Sequence, residues 1–222
     1  PGVVNGAKLL LSYGTAAGCL GGLAKLAWGT IKNDGITQLA IRSMITTLLV
    51  FCFFQVLPHY PVGVSEVHFI LGSTLFLMFG LAPAAIGLAL GLLIQGLLFS
   101  PFDLPQYGMN ITTLLVPLMA VALVADKIIP KNTAYKDVSY KQTLALSAAY
   151  QGGVVSWVAI WAFYGQGFGA ETLSQVGLFG GAYMMVIIVE PLADLAILGV
   201  AKTLHQLKDS PLFHDRLYRA GV

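Results

Sequence analysis

Residues 69–99 read FILGSTLFLMFGLAPAAIGLALGLLIQGLLF and contain no charged side chain. A helix needs roughly 20 apolar residues to cross a bilayer, so this stretch is long enough for a membrane span. The tripeptide LAP at 81–83 divides it into two short apolar runs. The stretch therefore predicts either a tight helical hairpin or a span joined to a partly re-entrant segment.

The composition of the whole chain also indicates a membrane protein. Of its 222 residues, 57% are hydrophobic and 10% are charged, and the mean hydropathy is +0.79. Soluble domains usually carry about 25% charged residues, so this chain has too few to cover a water-facing surface. The net charge of +2, without a basic run, argues against a nucleic-acid partner.

We predict an all-α polytopic membrane bundle of about seven helices, with six as the alternative. A single membrane domain covers 1–205, and a cytoplasmic tail covers 206–222. The predicted spans are about 6–24, 36–57, 67–81, 84–99, 110–129, 142–164 and 173–201.

The positions of Lys and Arg favour seven spans, because these residues prefer the cytoplasmic side of short loops. With seven spans, the basic loops at 25–35 and 127–141 fall on the same side as the basic tail. The other three loops carry neither Lys nor Arg and fall on the opposite side. This pattern predicts an outside N-terminus and an inside C-terminus. The protein is separately expected in a bacterial inner membrane.

Polar side chains collect at the predicted outer ends of the spans. His68 is the candidate metal ligand, because imidazole is the commonest transition-metal ligand among side chains. On a helix it would share a face with Ser65 and Gly72. The other candidate pocket or supporting residues are Ser65, Glu66, Asn110, Gln95 and His59.

Two interpretations of His68 stay open from spacing alone. In the first, a carboxylate or amide such as Glu66 or Asn110 orients its ring toward a metal. In the second, His68 is an interfacial histidine bonded to a neighbour, and Asn110 caps a helix. A lone histidine without an HxxxH or ExxH pair does not decide between them.

Two stretches resemble the CbiM/NikM family, the substrate-capturing membrane components of energy-coupling-factor importers for cobalt and nickel. They are LPHYPVGVSEVHFILGSTLFLMFGLAPAAIGLALGLLIQGLLF, at 57–99, and GMNITTLLVPLMA, at 108–120. The resemblance is clearest over about 58–125, where the His-bearing segment, the QGLLF helix end and the Gly-x-Asn loop occur in order.

The resemblance implies that Co(II) or Ni(II) is a transported substrate held by nitrogen ligands in a square plane, which suits Ni(II) and is tolerated by Co(II). The family takes these ligands from a Met-His start and from a second His, whose position His68 matches. Asn110 falls in the loop beside the pocket. The implied partners are a membrane coupling subunit and ATPase subunits.

The chain departs from the family pattern in two places. It begins PGVVNG, so the N-terminal ligands are not present in this chain. Either further residues precede Pro1 and supply them, or this homologue does not bind metal in the family's way. The family often has Ser-Gly-His where this chain has Ser65-Glu66-Val67-His68, which adds a carboxylate.

Three charges lie inside predicted spans, and charges in lipid are expensive unless paired. We predict a pair between Arg42 and Asp194, with Glu190 one turn from Asp194. A structural clamp is favoured over a path for ions. Gly14, Gly18 and Gly22 have the small-xxx-small spacing that lets helices approach closely, either within this bundle or against a partner subunit.

We predict that the chain is a transport component and not an enzyme. The segment GVAKT at 199–203 lacks the second glycine of a Walker A loop, and neither G-x-S-x-G nor HExxH occurs. The leading hypothesis is a metal-capturing component of an importer. The alternatives are a metal-free accessory subunit of a larger membrane complex, and an ion-coupled carrier that uses Glu190 and Asp194.

Overall fold

The computed structural model describes residues 6–206 and shows a helix bundle with one small hairpin. The predicted all-α bundle is confirmed, whereas the tail beyond 206 lies outside the described residues. The helices are α1 Gly6–Asp34, α2 Ile36–Gln55, α3 Gly72–Phe79, α4 Leu81–Leu98, α5 Tyr107–Ile128, α6 Tyr140–Gln166 and α7 Ala170–Gln206. Strands β1 Tyr60–Val62 and β2 Ser65–Val67 form the hairpin, and 3₁₀ turns cover Pro101–Gln106 and Tyr135–Asp137.

Six of the helices in the described part, all except α3, are long and apolar enough to cross a membrane. The eight residues of α3 rise only about 12 Å, well short of the roughly 30 Å hydrocarbon core. The predicted span at 67–81 is therefore wrong as a continuous helix. It starts in β2, continues through an irregular segment to Leu71, and becomes helical only at Gly72.

Helices α2 and α4 pack closely and run in the same direction. Their contact residues pair in ascending order, Thr46 with Gly87 and Val50 with Gly91. At either glycine a Cβ would overlap the facing residue, so the missing side chains permit this approach. The Thr46 hydroxyl also donates to the Pro83 carbonyl at 2.7 Å.

The directions of α2 and α4 fix the path of the interrupted segment. The hairpin follows the end of α2, and α3 precedes the start of α4, so the chain must return along the bundle between them. Non-helical backbone at membrane depth is tolerated where protein surrounds it or where it lines a cavity. Ile70 and Leu71 are only 3% and 8% exposed, which meets this condition.

Replacing Gly87 with alanine is expected to destabilise the bundle by about 1–3 kcal/mol, the usual cost of overpacking. The new Cβ would lie 2.8 Å from the backbone carbonyl carbon of Thr46. Gly18→Ala is the matched control, because a Cβ at Gly18 meets nothing within 4 Å. Unfolding of the two variants in detergent measures the difference in their free energies of unfolding. Equal stabilities would contradict the close packing of α2 on α4.

Candidate functional site

The β1–β2 hairpin carries the segment that contains the predicted ligand. The strands pair antiparallel, with Tyr60 opposite Val67. Gly63 lies in the turn with φ of 58°, a conformation that glycine adopts without steric cost. A Cβ there would overlap the backbone of Gln175 in α7. The glycine therefore lets the hairpin dock directly on α7.

A cavity of about 290 Å³ lies at the hairpin end of the bundle. This volume is far above the roughly 10–15 Å³ that one water molecule requires, so the cavity offers more space than one metal ion requires. One part of the wall is polar and includes Asp103 and Gln106 from the 3₁₀ turn. The other part is apolar and is built by Phe54, Trp161, Phe179 and further side chains of α4 to α7.

Five of the six candidate pocket residues line this one cavity. The sixth, His59, stacks on His68 with their ring centroids 5.2 Å apart. The hairpin, α4 and α5 are thus brought together at one end of the bundle, but the roles of these residues in binding stay predictions. The five lining residues are Ser65, Glu66, His68, Gln95 and Asn110.

The predicted helical face of Ser65, His68 and Gly72 is wrong. Ser65 lies in β2 and His68 in the irregular segment, whereas Gly72 is the first residue of α3. Gly72 also makes room for a different ring, because a Cβ there would overlap the buried side chain of Tyr150. His68 is placed by the hairpin instead of by a helix.

Three neighbours surround the His68 ring. Its Nε2 lies 3.1 Å from Glu66 Oε2, Phe54 packs at 4.7 Å between ring centroids, and His59 stacks on it. The other ring nitrogen, Nδ1, is buried without a hydrogen-bond partner in the described part of the chain. The contact with Glu66 favours the tautomer with hydrogen on Nε2, which leaves a free lone pair on Nδ1.

The electrostatics of this pair favour an ionised carboxylate. The hydrogen bond from His68 lowers the pKa of Glu66, while burial acts in the opposite direction. The Glu66 side chain is 42% exposed, so solvent weakens the interaction. Glu66 can therefore accept the Nε2 hydrogen at neutral pH.

The N-terminal end of α1 lies beside the cavity wall. Ser12 packs against Gly108 at the start of α5, and the Tyr13 hydroxyl donates to the Leu104 carbonyl at 3.5 Å. Leu104 belongs to the 3₁₀ turn that brings Asp103 to the cavity. Ligands from an N-terminal segment, as the family resemblance implies, stay a prediction, because residues 1–5 lie outside the described residues.

Within residues 6–206, no group of three or more His, Cys, Asp or Glu side chains is placed to hold a metal ion. His68 and Glu66 contact one another, but a third such ligand does not join them there. A metal bound at His68 would therefore take its further ligands from other groups.

The predicted pair between Arg42 and Asp194 is wrong. Arg42 bonds instead to Asp34 at 2.8 Å and to Gln38 at 2.9 Å. Asp34 ends α1 just before the short turn into α2, so it reaches Arg42 while both side chains stay more than a third exposed. Arg42 thus has a partner that costs little desolvation.

Of the three α1 glycines predicted to pack closely, Gly22 alone lies close to another helix in the described part of the bundle. A Cβ at Gly14 or Gly18 would meet nothing within 4 Å, whereas one at Gly22 would lie 3.6 Å from Met119 Cε. Gly22 therefore faces α5, and a partner face at Gly14 and Gly18 stays a prediction.

The fold and the site define a class, a polytopic helical membrane protein with a histidine-bearing cavity at one end of its bundle. The chain matches the family model of CbiM, the cobalt uptake substrate-specific transmembrane region, over residues 1–206, and it belongs to this family. The comparisons with curated proteins and with solved structures find no match. The resemblance to CbiM/NikM is thus confirmed. The family identifies an integral membrane component of cobalt uptake, and it is a transport family, not an enzyme family.

Proposed function

We propose that this protein captures Co(II) or Ni(II) for an energy-coupling-factor type importer, with His68 as a metal ligand. The observation that carries the proposal is the hydrogen bonding of the His68 ring. Its buried Nδ1 has no hydrogen-bond partner in residues 6–206, whereas its Nε2 contacts Glu66. Metal-ligating histidines commonly donate their other ring N–H to a carboxylate in this way. Glu66 is therefore assigned the role of orienting His68.

The remaining ligands are assigned to the expected Met-His start, as the family resemblance implies. The N-terminal end of α1 lies beside the 3₁₀ turn that contributes Asp103 and Gln106 to the cavity wall. The cavity has room for a few side chains together with one ion. A nitrogen-rich square plane built in this way suits Ni(II) and is tolerated by Co(II).

The other polar lining residues are assigned supporting roles. Gln95 is 5% exposed and Asn110 lies at the start of α5, so both present amide groups to the cavity from rigid helices. Ser65 stands beside Glu66 in β2. Amides and hydroxyls at these positions can hydrogen-bond a carboxylate or a metal-bound water without competing for the metal as strongly as imidazole does.

Import also requires partners, because the sequence has no phosphate-binding loop. We assign ATP hydrolysis to separate ATPase subunits and their connection to this protein to a membrane coupling subunit. The open face at Gly14 and Gly18 is a candidate for that subunit. The cavity end is assigned to the outside of a bacterial inner membrane, in line with the Lys and Arg pattern.

Titration of the purified full chain with Co(II) and with Ni(II) tests the proposal. Mass spectrometry should first establish the N-terminal residues of the sample. We expect one metal ion per chain. A sample with an intact Met-His start that binds neither ion would contradict the proposal and favour a metal-free accessory subunit.

The role of Glu66 is tested by two substitutions. Glu66→Ala removes the acceptor of the Nε2 hydrogen and is expected to weaken metal affinity about 10–100-fold, as is typical when such a partner is lost. Glu66→Gln keeps an acceptor oxygen and should weaken it less. Glu171→Gln is the control, because Glu171 is exposed in the first turn of α7. Wild-type affinity in Glu66→Ala would show that Glu66 does not orient His68.

A further inference from the structure

Helix α7 carries two carboxylates at the centre of the bundle. Glu190 and Asp194 lie one turn apart, and both are 0% exposed. A carboxylate at such a position is costly unless its oxygens are fully hydrogen-bonded. The groups that bond to these oxygens therefore indicate why the carboxylates are there.

Glu190 binds backbone that lacks regular secondary structure. Its Oε2 accepts the N–H of Ile70 at 2.9 Å, and its Oε1 accepts the N–H of Leu71 at 2.6 Å. The side-chain amide of Gln151 donates to the same Oε1. Ile70 and Leu71 fall between β2 and α3, so the Glu190 carboxylate takes the place of the backbone acceptors that a strand or helix would supply.

Asp194 holds the next residues of the same segment. Its carboxylate accepts hydrogen bonds from the Ser73 hydroxyl at 3.0 Å and from the Thr74 hydroxyl. Leu71, whose N–H is held by Glu190, has φ of 52°. A residue with a side chain keeps this left-handed conformation only where its surroundings enforce it. The two carboxylates thus fix residues 70–74 in an otherwise unfavourable backbone path.

The anchored backbone lies immediately beside the candidate ligand. His68 comes one residue after β2, which is held by pairing with β1, and two residues before Ile70. Ile70 and His68 line the same cavity. The direction of the His68 side chain is therefore set by strand pairing on one side and by Glu190 on the other.

We infer that Glu190 is a positioning residue for His68, which it aims into the cavity by fixing the backbone at Ile70 and Leu71. This inference rests on the proposed function only in treating His68 as a metal ligand. It assigns a positioning role to a residue 122 positions from His68 in the sequence, on helix α7, whose Phe179 and Tyr183 line the cavity.

The hydrogen-bond pattern favours this role over a cation site at the two carboxylates. The groups that meet Glu190 are N–H donors, and those that meet Asp194 are O–H donors. In a cation site, neighbouring carbonyl and hydroxyl oxygens direct their lone pairs toward the ion. Here hydrogens point at the carboxylate oxygens.

The test compares Glu190→Leu, which has no acceptor, with Glu190→Gln, which keeps one oxygen. Two properties are measured in the full chain, the ¹⁵N shifts of the His68 ring without metal and the affinity for Co(II). We expect Glu190→Leu to shift or broaden the His68 signals and to weaken binding at least about tenfold, as loss of an orienting partner does. Glu190→Gln should lie between Glu190→Leu and wild type, and the exposed Glu171→Gln should match wild type.

If Glu190→Leu does not fold, Glu190→Gln carries the test by itself, because it has nearly the same shape. A variant that loses thermal stability but keeps wild-type His68 signals and affinity in its folded fraction would overturn the inference. The ring signals of the metal-free protein report on positioning even if wild type binds no metal. Failure of the proposed function therefore shows in the titration of wild type, and failure of this inference shows in the His68 signals.

Discussion

Replacing His68 with alanine is expected to weaken Co(II) and Ni(II) binding by more than about 100-fold. Loss of a group that only orients a ligand already costs about 10–100-fold, and this substitution removes the ligand itself. The Glu66 carboxylate stays at the cavity, but it does not supply the nitrogen that a square-planar set requires. Competition against a chromophoric chelator measures affinities across this range.

Two other histidines provide controls for that experiment. His205 is exposed at the end of α7, so His205→Ala should bind metal as wild type does. His59 stacks on His68, and His59→Ala should weaken binding less than His68→Ala. Equal losses in His68→Ala and His205→Ala would indicate that the metal binds elsewhere or without specificity.

Replacing Gly63 with valine is expected to disrupt the site from a distance. Left-handed backbone costs a residue with a Cβ roughly 1–2 kcal/mol, and overlap with the Gln175 backbone adds about 1–3 kcal/mol of the kind seen in overpacked cores. The hairpin would have to move off α7 to relieve that overlap. We therefore expect lower thermal stability together with weaker metal binding, because His68 follows the hairpin directly.

Gly167→Val separates the two parts of that effect. Gly167 has φ of 77°, but a Cβ there meets nothing within 4 Å. It should lose stability through backbone strain alone and keep wild-type metal affinity. If Gly63→Val and Gly167→Val have the same stability and affinity, the docking of the hairpin on α7 does not position the site.

The sequence predicts the bundle and the polar end of the cavity because both depend on local patterns. Long apolar runs identify the spans that cross the membrane. Alternating basic and non-basic loops assign each helix end to a side, which brings Glu66, Gln95 and Asn110 together. Each of these inferences needs only the number and order of the spans.

The interruption of the third span depends on a contact that no local pattern contains. The run from 67 to 81 is apolar enough for a helix, but the N–H groups of Ile70 and Leu71 bond to Glu190. Those partners are about 120 positions apart in the sequence. A sequence pattern shows that Glu190 needs a partner, without showing that the partner is backbone.

The predicted pair between Arg42 and Asp194 is wrong because it also depends on a contact between distant helices that no local pattern contains. Arg42 and Asp194 lie at similar depths in two predicted spans, but depth does not specify which faces of the helices meet. Asp34 is only eight residues from Arg42 and lies across a short turn. An exposed partner across a turn costs less desolvation than a buried one on another helix, and this favours Asp34 over Asp194.

Mass spectrometry under native conditions tests the capture of metal most directly. The full chain would be loaded with Co(II) or Ni(II), its N-terminus read by fragmentation, and wild type compared with His68→Ala. For a chain with a Met-His start, the result we predict is one ion per wild-type chain and no retained ion in His68→Ala. Wild type with that start but no bound metal, or the same ion count in both proteins, would contradict metal capture at His68.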